Sequence, residues 1–122
     1  MIANKKLRAF IPTVMPAKAK SFYKDILELT LLSEDNYALQ FEANGVLLRV
    51  TTVPQLTPHP FTVLDWMVDD IFSAIQLLSK KGVVFEKYDF LQQDDTGVWI
   101  APGGTKVAWF KDPDGNLLSV TE

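Results

Sequence analysis

Hydrophobic positions along this chain switch twice from strand-like alternation to helical spacing and back. Lys6–Thr13 alternates loosely and predicts a strand. Pro16 opens a helix where proline's missing N–H does least damage, and Ala19, Phe22, Tyr23 and Ile26 form one apolar stripe along it. Three strands are predicted next, over Leu29–Ser33, Tyr37–Ala43 and Val46–Thr52. Asp35-Asn36 and Asn44-Gly45 separate them, and Asn-Gly is a strong hairpin signal. Val53–Pro60 carries three prolines and no periodicity, so it reads as a linker.

The same order then recurs. Phe61–Val68 predicts a strand, Asp69 or Asp70 a helix cap, and Ile71, Ala74, Ile75 and Leu78 a helical stripe ended by Gly82. Strands are predicted over Val83–Tyr88, Thr105–Lys111 and Leu117–Thr121, with Gly97–Ala101 a candidate for an additional one. Between the last two, Asp112-Pro113-Asp114-Gly115-Asn116 spells a tight turn. Two tandem βαβββ units of an α+β fold follow from pattern alone. Arg8 aligns with Val63, Phe22 with Leu77 and Arg49 with Ser119. The second unit is the longer, and the polar Asp89–Thr105 region absorbs the excess as a loop able to rim a pocket.

Composition narrows the function classes. The chain has 122 residues, 48% of them hydrophobic, which suits one compact domain built of two small halves. Its modules are expected at about 5–53 and 61–122, joined by a linker over 54–60. The absence of cysteine excludes disulfides, thiolate nucleophiles and zinc fingers. A net charge of −3 argues against nucleic acid as a partner. No uninterrupted apolar run exceeds four residues (Val107–Phe110 reaches that length), so no membrane span or signal segment is expected. A soluble, cytoplasmic protein is the expectation.

Three segments carry a resemblance. They are Ser21-Phe22-Tyr23-Lys24-Asp25-Ile26-Leu27-Glu28-Leu29, Trp66-Met67-Val68-Asp69-Asp70-Ile71 and Phe110-Lys111-Asp112-Pro113-Asp114-Gly115-Asn116-Leu117-Leu118. In this order and spacing the chain resembles the vicinal-oxygen-chelate superfamily, which includes glyoxalase I, bleomycin-resistance proteins and extradiol dioxygenases. The resemblance implies paired βαβββ modules whose curled mixed sheets surround a cleft, within a homodimer. It also implies a divalent-metal site at four points, usually His at the starts of the first and fifth strands and Glu in each module's final strand. Those points fall on Arg8, Val63, Arg49 and Ser119. A guanidinium stays protonated, valine has no donor atom and serine alone is a poor ligand. No metal or other cofactor is therefore expected.

Strand alternation sorts the remaining candidates. Leu7, Ala9 and Ile11, Val46, Leu48 and Val50, Leu64, Trp66 and Val68, and Leu118 and Val120 should pack under the helices. That leaves Arg8, Phe10, Arg49, Val63, Asp65, Met67 and Ser119 to line the cleft, and Trp99 beside the insertion to stack on a ligand. Asp65 can pair with one arginine, and a small organic anion would complement the other. Pro12 points to a strand edge or bulge. His59, the sole imidazole, reads as a surface-loop residue, and Glu122 has the strand parity that points away from the cleft. The leading expectation is a metal-independent protein that binds or sequesters a small anionic molecule, as bleomycin-resistance relatives do. An alternative is a glyoxalase-like lyase or isomerase, or a dioxygenase, with Asp65 as base. Neighbouring arginines would lower its pKa and weaken it in that role. A second alternative is a structural or partner-binding dimer with an inactive cleft.

Overall fold

The computed structural model describes all 122 residues, Met1–Glu122, as two compact units, Met1–Thr57 and Pro58–Glu122. In the first, β1 (Arg8–Thr13) leads to α1 (Pro16–Ser21), which continues as a wider π-helical turn over Phe22–Ile26. The strands β2 (Thr30–Glu34), β3 (Ala38–Ala43) and β4 (Val46–Thr52) follow. Their sheet runs β1-β4-β3-β2, with β1 parallel to β4 and the other pairs antiparallel. Asn44 and Gly45 both take positive φ, as a two-residue hairpin of this twist requires. Pro12 lies in the edge strand β1, where its missing N–H breaks no ladder.

The second unit repeats this plan with β5 (Thr62–Met67), α2 (Ile71–Lys80), β6 (Trp99–Ile100), β7 (Lys106–Lys111) and β8 (Leu117–Thr121), ordered β5-β8-β7-β6. The strand registers repeat as well. Phe10 lies opposite Arg49 in one sheet, and Asp65 opposite Ser119 in the other, which matches the alignment of the two halves. Helix α2 starts where the Asp70 carboxylate accepts the N–H groups of Phe72 and Ser73. Glu122 accepts the N–H of Ile71 at 2.8 Å and pairs with Lys106, so it serves the helix end. No helix is long and apolar enough to cross a membrane.

Each unit buries the face of its sheet that meets the helix, and the central strand β8 is buried on both faces. Ile11, Leu48 and Val50 pack with Ala19, Phe22 and Tyr23 in the first unit, where the Tyr23 and Phe41 rings lie 5.9 Å apart. In the second, Phe110 is fully buried between Phe85 and Trp66, at ring separations of 5.5 and 6.4 Å.

Several sequence expectations fail locally. Val83–Tyr88 is not a strand: it meets β7 through the Glu86 N–H, which donates to the Trp109 carbonyl at 2.8 Å, while the strand paired with β7 is Trp99–Ile100. The cause is Gln93, whose side-chain oxygen accepts the Tyr88 N–H at 2.7 Å while its amide donates to the carbonyls of Glu86 and Gly97. One glutamine thus satisfies backbone groups that a neighbouring strand would otherwise take. Leu7 precedes β1 and is exposed, Val46 at the start of β4 is half-exposed, and Phe61 lies outside β5. Leu77 does not match Phe22 in environment: Phe22 is buried, whereas Leu77 is 63% exposed because the stripe of α2 runs through Ile71 and Ile75.

Candidate functional site

Side chains on the face of the second sheet away from α2 form successive rows. Thr62, Leu117 and Lys111 stand side by side in one, and Asp65, Ser119 and Trp109 in the next. Over the first row lies a cavity of about 400 Å³. The sheet supplies Thr62, Trp109, Lys111 and Leu117, and the linker supplies Pro58 through Phe61. The insertion adds Tyr88, Phe90 and Leu91, and the tight turn adds Gly115. Its volume is in the range of small-molecule sites.

The walls are aromatic and ordered. His59 stacks on Phe61 with an interplanar angle of 8° and ring centroids 5.1 Å apart. Tyr88 meets Trp109 edge-on at 79° and leans on Phe90 at 5.3 Å. Trp109 is fixed by donation from Nε1 to the Thr62 hydroxyl at 3.1 Å, and by Trp99 at 6.0 Å. Lys111 pairs with Glu86 at 3.3 Å. Burial, aided by the Glu86 charge, pushes the Tyr88 phenol above its ordinary pKa, so the hydroxyl keeps its proton.

Gly115 brings the linker to this wall. Its φ is +88°, and a Cβ there would come within 3.2 Å of the Pro58 ring. The turn is braced by Asp112, which accepts the N–H groups of Asp114 and Asn116.

The residues singled out in the sequence lie elsewhere. In the first unit, the Arg49 guanidinium sits 5.8 Å from the centre of the Phe10 ring, and Arg8 is exposed at the start of β1. Asp35 is held below the ordinary aspartate range by the N–H groups of Tyr37 and Ala38, with Arg49 adding to the effect. In the second unit, Asp65 accepts the Ser119 and Thr121 hydroxyls at 2.6 and 2.8 Å. Ser119 is buried, while Val63 and Met67 are exposed. Trp99 lines a smaller hollow of about 290 Å³ with Phe72 and Ile100. None of these eight residues lines the 400 Å³ cavity. His59, expected as a plain loop residue, does.

Strand alternation alone places Trp109 and Lys111 on that face, because Ala108 and Phe110 are buried on the other. Tyr88 and Phe90 gave no such signal, since they sit in irregular chain held by Gln93.

The metal-ligand points implied by the resemblance hold Arg8, Arg49, Val63 and Ser119, and no three His, Cys, Asp or Glu side chains converge in the chain. That donor set does not fit a divalent cation.

The sequence profile of the Glyoxalase/Bleomycin resistance protein/Dioxygenase superfamily matches residues 7–120. No curated protein matches the sequence. Solved structures do. A member of that superfamily from Sphaerobacter thermophilus DSM 20745 is 20% identical with a TM-score of 0.75, covering 100% of this chain and 99% of its own. A lactoylglutathione lyase from Agrobacterium tumefaciens is 13% identical, with a TM-score of 0.74 and coverages of 98% and 93%. The antibiotic binding protein TnmS3 from Streptomyces sp. CB03234 is 21% identical, with a TM-score of 0.71 and coverages of 98% and 96%. These identities establish a shared fold and no shared activity.

Proposed function

Because the chain belongs to the Glyoxalase/Bleomycin resistance protein/Dioxygenase superfamily, we propose that it uses this fold to bind a small aromatic molecule non-covalently and without a metal. The carrying observation is the cavity of about 400 Å³, with Phe61, Tyr88, Phe90 and Trp109 in its walls. Rings held edge-on and stacked present flat apolar surfaces, against which a planar ligand gains area burial and favourable ring geometry. A small-molecule binding role also agrees with the antibiotic-binding neighbour. A lyase or dioxygenase reading has less to rest on. Its candidate base, Asp65, is already engaged by two hydroxyls, and the family's ligand points carry no imidazole or carboxylate. This reading includes the homodimer that the resemblance implies, which analytical ultracentrifugation tests.

Thermal-shift and tryptophan-fluorescence titrations with naphthalene derivatives test the proposal. The expected result is saturable binding in the wild type that is lost in Trp109→Ala and kept in Arg49→Ala. Loss in Arg49→Ala with retention in Trp109→Ala would move the site to the arginines.

A further inference from the structure

The polar side chains facing the cavity point to the chemistry of its occupant. The whole chain carries a net charge of −3, yet no aspartate or glutamate lines this cavity. Lys111 and His59 do. The two hydroxyls, those of Thr62 and Tyr88, also lean toward donation. Thr62 spends acceptor capacity on the Trp109 indole N–H, which leaves its own O–H free to be offered. Tyr88 carries its proton at neutral pH, as an ordinary phenol does, and burial with the Glu86 charge favours that form further. The site thus holds an ammonium, two hydroxyl protons and an imidazole, with no carboxylate among them to accept.

Geometry adds the shape. Tyr88 and Trp109 meet at 79°, forming an aromatic corner where a flat ring can lie on one wall and turn its edge to the other. Lys111 lies two residues beyond Trp109 on β7, so its ammonium borders the same corner. Glu86 holds the lysine at 3.3 Å without itself lining the cavity.

From these observations we infer that the ligand is a planar aromatic carboxylate, its ring in the Tyr88–Trp109 corner and its anionic end toward Lys111 and His59. This inference rests on the small-molecule reading above and narrows it to one class.

Calorimetric titrations of the full chain with naphthoate, naphthamide and naphthylmethylammonium test it, with tryptophan emission followed in parallel. The three share a ring system and differ in charge. Naphthoate is expected to bind about tenfold more tightly than naphthamide, a difference of about 1.4 kcal/mol, and the ammonium probe most weakly. Lys111→Met should remove the preference for naphthoate over naphthamide, and Lys80→Met at the exposed end of α2 should keep it. Equal affinities for naphthoate and naphthamide in the wild type would overturn the anionic assignment while preserving the aromatic site. No saturable binding of any of the three would overturn the site itself.

Discussion

Gly115 and Gly45 make a matched pair for testing whether the tight turn sets the cavity wall. Both have φ near +90°, at +88° and +89°, where an L side chain is strained. They differ in surroundings: an added Cβ meets open space at Gly45 but the Pro58 ring at 3.2 Å at Gly115. Gly45→Ala should therefore incur the backbone term alone, about 1–2 kcal/mol. Gly115→Ala should incur that term and a steric one. The ring must shift by a few tenths of an ångström, placing the added loss at the low end of overpacking, about 1 kcal/mol. Urea denaturation measures both, and the same samples can be titrated with naphthoate. Gly115→Ala should be the less stable and should bind more weakly, because Pro58 lines the cavity. Gly45→Ala should bind like the wild type. Equal stabilities, or unchanged binding in Gly115→Ala, would refute the claim that this turn positions the wall.

Further outcomes follow from particular contacts. Gln93→Ala should free three backbone groups around the insertion, costing about 2–3 kcal/mol locally at about 1 kcal/mol per bond; hydrogen exchange should rise over 86–97, and binding should weaken as Tyr88 and Phe90 lose their support. Phe110→Ala removes a fully buried ring and should lower stability by about 3–5 kcal/mol in chemical denaturation. At the start of α2, Asp70 is held below its ordinary pKa chiefly by hydrogen bonds from Ser73, and Glu122 chiefly by the Ile71 N–H. Depressed carboxylates stabilise the fold when ionised. Their contribution is present above the unfolded-state values, begins to fade below about pH 5 and is lost as pH falls through the native values. Stability of the Asp70→Asn, Glu122→Gln double variant should therefore fall less steeply between about pH 5 and pH 3 than that of the wild type.

Much of the fold was legible because it repeats. The strand–helix–strands order could be read twice, and the registers Phe10 to Arg49 and Asp65 to Ser119 reproduce the alignment of the halves. Hairpin, cap and turn residues worked locally: Asn44-Gly45 forms the hairpin turn, Asp70 caps α2, and Glu122 faces the helix end. The insertion was not legible. Val83–Tyr88 has the composition of a strand, but the Gln93 side chain takes the Tyr88 N–H and the Glu86 carbonyl, a side-chain-to-backbone choice that no periodicity encodes. The cavity was legible only in part. Alternation placed Arg49, Asp65 and Ser119 on the faces away from the helices, yet the cavity is completed by the linker and the insertion. The aromatic residues there carry no pattern until the chain folds.

The indole N–H resonances of Trp66, Trp99 and Trp109 test the central claim most directly, because each tryptophan stands in a different environment of the second unit. Titrating isotopically labelled protein with naphthoate should move the Trp109 signal saturably and leave Trp66, which packs against Phe110, near its starting position. A saturable shift confined to Trp66, or three resonances that stay still while the ligand binds, would contradict an aromatic binding site built on Trp109.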